Sequence, residues 1–313
     1  MIRWWVGLWD RREAPTSLAV VRLLVGALVL LDLLATARHG LVLPLYAPLQ
    51  AGGMGDVLAR DDVQVLYRWF PATAATARVA FWATVAAAAM FTAGLATRPA
   101  GLVLLLLLAQ LSLPVPPADR GIDMLLRNAI MVLLFSRCGA TWSLDARLRT
   151  GRWTGDGAPA PSWPRYLLIC QLVLLYSSAG MQKVASSWLP PQWSALYTAM
   201  RDPHFARGEW AWVDAVYPLT QAATAATWLW EWAAPVVLLA YWYRDTAHRP
   251  GRLRAFFLRA HVLTIYLAVG ALFHLGTHLT MRLGIFPFAV LSLYPACVHP
   301  DAWGRAFGRL RSG

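Results

Sequence analysis

Charge is scarce in this chain. Asp, Glu, Lys and Arg together make up 14% of its 313 residues, where a soluble domain carries about 25%. That leaves too little polar surface to cover a globule in water. Lysine is scarcer still: of 28 basic residues, only Lys183 is a lysine and the rest are arginines. Cysteine is limited to Cys138, Cys170 and Cys297. They form no CxxC or other ligand spacing, which excludes a disulfide framework and a cysteine zinc site. There is no HExxH and no internal repeat. The basic, aromatic start MIRWWVGLWDRRE leads into an apolar run without the small-residue cleavage site of a secretory signal.

What fills the chain instead is hydrophobic, 58% of it. Runs such as GLVLLLLLAQLSL at 101–113 suit lipid as the solvent. Eight spans are expected, at 17–37, 75–96, 100–115, 122–135, 166–180, 219–242, 255–275 and 283–297. The fold class is therefore all-α: a polytopic membrane helix bundle of about eight transmembrane helices. It forms one transmembrane domain over 1–313 with no separate soluble domain. The formal charge of +12 does not indicate nucleic acid, because the basic residues lie in short segments between the spans. With the N-terminus inside, the inner segments hold the larger share of them: Arg3, Arg11, Arg12 and Arg98, the run from Arg137 to Arg165, the run from Arg244 to Arg259, and Arg305, Arg309 and Arg311. The outer segments hold Arg38, Arg60, Arg68, Arg78, Arg120, Lys183, Arg201, Arg207 and Arg282. Both termini are thus expected in the cytoplasm, and the protein in the plasma membrane as a multi-pass chain.

Two outer segments are long. Residues 39–73 contain the Gly-rich AGGMGD and then 63–70, expected as an interfacial helix. Residues 181–217 carry Trp188, Pro190, Pro191, Trp193, Trp210 and Trp212. Such a loop either caps a site or anchors at the interface. The Gly/Pro-rich inner loop at 139–164 reads as a linker.

Ionisable groups at membrane depth are costly, and they mark sites or structural partners. Lys183 lies in YSSAGMQKVASSW at the outer end of the fifth span. Unlike arginine, a desolvated lysine can lose its proton near neutral pH and act as a base, while an interfacial lysine can equally snorkel without function. Asp123 and Arg127 are four apart on one helix face and can pair. His274 and His278 are also four apart; a metal there needs a third ligand, and a hydrogen-bonded core or a quinone contact is the other reading. Glu231, in WLWEWAAP, suits a helix-to-helix partner. Arg22 and Asp32 are too far apart on the first span to pair, so each needs a partner elsewhere. By this topology Lys183, Asp123, Arg127, His274 and His278 all fall in the outer half of the membrane.

Four stretches in order carry a family resemblance: PTSLAVVRLLVGALVLLDL at 15–33, LLRNAIMVLLFSRCGATWSLDARL at 125–148, YSSAGMQKVASSW at 176–188 and FHLGTHLTMRLGIFPFAVLSLYP at 273–295. Together they resemble the membrane domain shared by vitamin K-dependent gamma-glutamyl carboxylases and the bacterial HTTM (horizontally transferred transmembrane) proteins. The resemblance implies a bacterial inner-membrane protein with its site near the outer leaflet. It implies a reduced quinone, vitamin K hydroquinone or menaquinol, as cofactor, with O2 and CO2 as co-substrates. The family's base, the lysine of an A-G-x-x-K segment, falls on Lys183. Its Phe-His pair before a G-x-F element falls on Phe273, His274, Gly284 and Phe286. His274, His278, Asp123, Arg127, Tyr176 and Gln182 are then the expected quinone-binding residues. The carboxylases' Asn-His motif falls near Gly121 and Ile122, with no histidine close by, and their propeptide-gripping domain has no counterpart here.

Two function classes follow. The first is a quinol- and O2-dependent enzyme in which Lys183 takes the hydroxyl proton and the Trp-rich loop excludes water. The second is a non-catalytic accessory factor that binds lipid or quinone, or helps a secreted peptide mature with a partner protein. A transporter would show inverted repeats and broken helices at the midplane.

Overall fold

Leucine, valine and alanine runs free of internal proline form the long helices. The computed structural model describes residue 7, residues 10–55 and residues 65–303. The chain start up to Arg3, together with Arg60, the first part of 63–70, Arg305, Arg309 and Arg311, lies outside the described residues. The fold is mostly helical. Among the described residues the only sheet is a two-residue antiparallel pairing of β1 (Arg12–Glu13) with β2 (Ala160–Pro161). Contacts gather into two compact units, residues 1–168 with 292–313, and residues 169–291.

The first unit is built on α1 (Thr16–Arg38), followed by the short α2 (Val42–Tyr46) and α3 (Val65–Trp69), then α4 (Ala74–Ala93), α5 (Thr97–Leu111), α6 (Gly121–Leu134) and the short α7 (Leu144–Thr150). Helix α1 packs on α4 and α6, α4 on α5, and α5 on α6. The chain ends show that these four helices run up, down, up and down. One end of the unit collects the start of α1, the α4–α5 turn and the segment after α6. The other collects the end of α1, the end of α5 and the start of α6. Helix α1 buries Leu18, Val21, Arg22, Val25, Val29 and Leu33, at helical spacing. Its opposite face shows Leu24, Leu31 and Leu34, with Leu31 61% exposed. A helix apolar all round has lipid, not water, on its free side. Helices α1, α4 and, in the second unit, α13 (Val262–Thr280) are long and apolar enough to cross a membrane.

The first end is held by two polar devices, one buried and one half-buried. Arg22 is wholly buried and donates to the carbonyls of Cys138 at 3.0 Å and Trp142 at 2.6 Å. Gly94, at φ +69°, closes α4 beside it; a Cβ there would lie 2.5 Å from the Arg22 Nη1 and 2.4 Å from the Ser143 Cβ. The second device is Asp145 of α7. It accepts from the amides of Ala96 and Thr97 at 2.8 Å each, and from the Thr97 hydroxyl at 2.7 Å. It therefore caps the N-terminus of α5 from a distant part of the sequence. Arg165, also buried, forks onto Glu13 at 2.6 and 2.8 Å and ties the early chain down.

The second unit begins within α8 (Trp163–Gln182). It continues through α9 (Ala195–Arg201), α10 (Tyr217–Trp232), α11 (Pro235–Asp245), α12 (Arg252–Arg259), α13 and α14 (Phe286–Leu291). Helix α9 packs on α10, α11 on α12 and α13, and α13 on α14. Where a continuous span at 219–242 is expected, the chain makes two helices. Pro235 has no amide hydrogen, and the chain turns at Ala233–Ala234 before it. The segment 255–275 likewise divides between α12 and α13, at His261 with φ +48°. The last stretch is α14 followed by a 3-10 turn, Tyr294–Cys297.

Two outcomes test the locked end. Arg22→Ala removes two hydrogen bonds from a charged donor, about 1.5–3 kcal/mol each, and opens a void. It is expected to lower the thermal midpoint in detergent well below that of Arg98→Ala, an exposed arginine at the same end; equal midpoints would remove the role given to Arg22. The Asp145 carboxyl is pushed up by burial, but the Thr97 and Ala96 hydrogen bonds and Arg149 outweigh this and hold it below its ordinary value. A depressed folded value gives stability that is complete above about pH 4 and is lost as the pH falls through it. Asp145→Asn is therefore expected to be less stable at neutral pH and to show a flatter acid dependence in thermal melts. Parallel curves for variant and wild type would contradict it.

Candidate functional site

Lys183 is the first residue past α8, held there by its amide on the Gly180 carbonyl at 3.3 Å. Its ammonium is not alone. Nζ donates to Glu231 Oε2 at 2.5 Å, and to the Ala179 carbonyl at 3.4 Å. It also lies 4.9 Å over the Trp188 ring, a cation–π contact. The Lys183 side chain is 19% exposed and that of Glu231 is 5% exposed. A pair this short is a charge-assisted hydrogen bond. Glu231 comes from the last turn of α10, so the helix-to-helix partner expected for it is Lys183. The chain's one lysine thus has a carboxylate beside it.

The close approach of α8 to α10 has a local cause. Gly180 faces Glu231 and Trp232, and a Cβ on it would lie 3.1 Å from the Glu231 Cβ and 3.2 Å from the Trp232 backbone nitrogen. The absent side chain lets the backbones approach and brings Lys183 onto its partner. This gives a packing reason for the Ala-Gly that precedes the lysine in AGMQK.

One residue before Glu231, Trp230 forms the centre of an aromatic wall. Its ring stacks on Tyr266 at 5.2 Å and lies 4.5 Å from Tyr176 and 5.5 Å from Phe273. Trp230 and Tyr266 are also cross-tied, each donating to the other's carbonyl at 3.2 Å. His274 is wholly buried, and its Nε2 shares a 2.8 Å hydrogen bond with the Tyr176 hydroxyl. Phe286 lies 5.7 Å from the His274 ring, so the Phe-His pair and the G-x-F element meet in space. His278, one turn on, packs edge-to-face on Phe288 at 4.5 Å. Its Nδ1 is buried with no hydrogen-bond partner among the described residues. Gln182 is exposed at the end of α8. Among the described residues no three His, Cys, Asp or Glu side chains group as metal ligands.

The Trp-rich loop is folded. Met200, Val213 and Met281 form a small core, with Tyr197, Trp210 and Leu283 packed on it. The loop is stitched to the end of α13 by Arg207 N to the Thr280 carbonyl at 2.9 Å, Arg282 N to the Phe205 carbonyl at 2.7 Å and the Trp210 indole to the Thr280 carbonyl at 3.2 Å.

Asp123 and Arg127 belong to the first unit, and their expected mutual pairing is not the one formed. Arg127 forks onto Asp119 at 2.7 and 2.6 Å. Asp123 caps α6 by accepting from the Arg120 amide at 2.9 Å, and it pairs with that guanidinium at 2.8 Å. Arg120 reaches on to Asp32 at 2.6 Å. The i,i+4 rule missed these because the preceding turn supplies nearer partners at Asp119 and Arg120. These charges and Tyr46 line a cavity of about 340 Å³ together with leucines of α1, α5 and α6. Burial first, then the carboxylates of Asp32 and Asp123, hold the Tyr46 phenol up at about 12, so it remains a donor at neutral pH.

Comparison with protein-family models, curated proteins and solved structures finds no match.

The packing role of Gly180 has a contrast built into the same unit. Gly276 in α13 has nothing within 4 Å of an added Cβ. Gly180→Ala is expected to destabilise by about 1–3 kcal/mol through overpacking, and to weaken the Lys183–Glu231 coupling in a double-mutant cycle. Gly276→Ala should be neutral or stabilising, since alanine favours helix. Equal thermal midpoints for the two would set the packing argument aside.

Proposed function

We propose that this protein is a membrane-embedded, quinol- and O2-dependent enzyme in which the Lys183–Glu231 pair performs the proton chemistry. The observation that carries this reading is the 2.5 Å contact between Lys183 Nζ and Glu231 Oε2 under the Trp188 ring. A lysine acts as a base only as the free amine. Glu231 supplies the means: it takes the ammonium proton across one short hydrogen bond and leaves Nζ with a lone pair. That amine then accepts a hydroxyl proton, and the pair as a whole has gained one proton. Trp188 excludes water on one side.

Flat aromatic walls with a few polar stations suit an aromatic ring bearing hydroxyls. Trp230, Tyr266 and Phe273 supply the first, and the Tyr176–His274 pair and Lys183 the second. When bound, a reduced menaquinone or vitamin K with O2 supplies the strong base, ending as quinone epoxide and water. The packed loop at 181–217 would shield that base from solvent. In this reading the chain resembles the HTTM and vitamin K-dependent carboxylase membrane domain. It crosses the bacterial inner membrane about eight times with both termini inside, and Lys183 lies towards the outer leaflet. The alternation of α1, α4, α5 and α6 supports the first four crossings. CO2 addition and a secreted peptide substrate belong to the same proposal.

The second reading, a non-catalytic accessory factor, draws on the same pair, because a lysine satisfied by a carboxylate and an indole can be purely structural.

One experiment decides between them. Protein in lipid nanodiscs receives reduced menaquinone or vitamin K, with and without O2, and quinone epoxide is measured by mass spectrometry. Wild type is expected to form epoxide only with O2, and Lys183→Ala and Lys183→Arg to fall by about 10²–10⁴-fold. Full activity in Lys183→Arg overturns the base role. No epoxide from folded wild type shifts the assignment to the accessory factor.

A further inference from the structure

The arginine-rich end of the first unit contains a second cavity, of about 650 Å³. It is formed by the α4–α5 turn, the segment after α6 and α7. Arg98, Arg137 and Arg149 all line it. Arg98 and Arg149 make no hydrogen bond or ion pair among the described residues. Arg137 is only loosely held, 3.3 Å from the Pro159 carbonyl and 3.8 Å from Asp156.

The carboxylate within the cavity, Asp145, offsets part of this charge because Arg149 acts on it electrostatically, but it forms no ion pair with a guanidinium among the described residues. Both oxygens of Asp145 are directed at the start of α5, where they accept from two amides and a hydroxyl. Three donors take up most of its roughly four lone-pair sites, while the Arg98 and Arg149 forks remain open. Guanidinium groups of this kind suit a phosphate, which they can grip through two parallel hydrogen bonds.

The walls leading away from the cavity are apolar and uncovered. Leu148, on its lining, is 74% exposed. Nearby, Leu102 and Leu106 of α5 and Phe135, just past the end of α6, are 45%, 57% and 67% exposed. A ligand that fits both features has a phosphate head and hydrocarbon tails.

We propose that this cavity is a binding site for an anionic phospholipid of the leaflet on its own side, the one the arginine bias assigns to the cytoplasm. Arg98 and Arg149 hold the phosphate, Arg137 joins them by exchanging Asp156, and the acyl chains run along α5 and α6. This site is independent of the quinol reading and stands or falls without it.

The test uses the full-length protein in a neutral detergent. Phosphatidylglycerol, phosphatidylcholine and inorganic phosphate are titrated separately, and binding is read by native mass spectrometry and by the shift in thermal midpoint. Wild type is expected to retain phosphatidylglycerol and be stabilised by it, and not by phosphatidylcholine. The double variant Arg98→Gln/Arg149→Gln should bind phosphatidylglycerol about 10- to 30-fold more weakly. A control, Arg252→Gln/Arg259→Gln on α12 in the other unit, should bind as wild type does. Equal retention of phosphatidylcholine overturns the proposal, as does undiminished binding by the first variant or an equal loss in the control. Inorganic phosphate reproducing the whole stabilisation would make the site one for free phosphate and overturn its lipid assignment. If the first variant loses its lipid-free midpoint, the single variants Arg98→Lys and Arg149→Lys replace it. These keep the charge and lose the fork, and are expected to weaken binding without unfolding; unchanged affinity in both overturns the role of the forks.

Discussion

A polar group placed among apolar helices is costly unless the protein itself supplies a partner. Arg22 shows how far this reaches. It lies on the second turn of an apolar helix, and its two terminal nitrogens are answered by carbonyls that the chain delivers more than a hundred residues later. Cys138 and Trp142 present theirs because α6 has ended and the following segment has turned. Gly94 leaves room for the contact, and Asp145, a few residues on, caps α5. The ordering of four helices in the first unit thus follows from how a few buried polar atoms are answered.

The charged constellations differ in what they can exchange. Arg127 with Asp119, and Arg120 with Asp123 and Asp32, are built on guanidinium, which keeps its proton in proteins. They fix the wall of a cavity and the start of α6. Lys183 with Glu231 joins two groups that can each carry or release a proton. This chemical asymmetry sets the second unit's pair apart, and the single lysine in an arginine background already marks it in the sequence.

Much of the helical framework was legible in the sequence. The apolar runs that became α1, α4, α5, α6 and α8 lie within a few residues of their expected bounds, because length and uniform hydrophobicity leave few alternatives. The breaks in the second unit were harder. Pro235 is visible as a helix breaker, but a left-handed turn at His261 has no sequence signal, since histidine does not demand that conformation. Pairings were the least legible. Asp123 and Arg127 obey a helical spacing rule, and partners from the preceding turn override it. Glu231 could be marked as needing a partner, and the sequence did not name Lys183. Trp230 and Tyr266 were missed, because aromatic residues in a Trp-rich apolar helix do not stand out until their cross-tied carbonyls are seen.

The short Lys183–Glu231 contact also bears on how the protein responds to an electric field. A charge crossing a whole membrane at 100 mV changes energy by about 2.3 kcal/mol. Nζ and Oε2 are 2.5 Å apart, and because each covalent bond to hydrogen takes up about 1 Å of that, a proton moving between them travels only about 0.5 Å, against a hydrocarbon core of about 30 Å. Even aligned with the field, that step would gain or lose less than about 0.1 kcal/mol. Proton exchange across a contact of this geometry would be nearly indifferent to the voltage of an energised membrane.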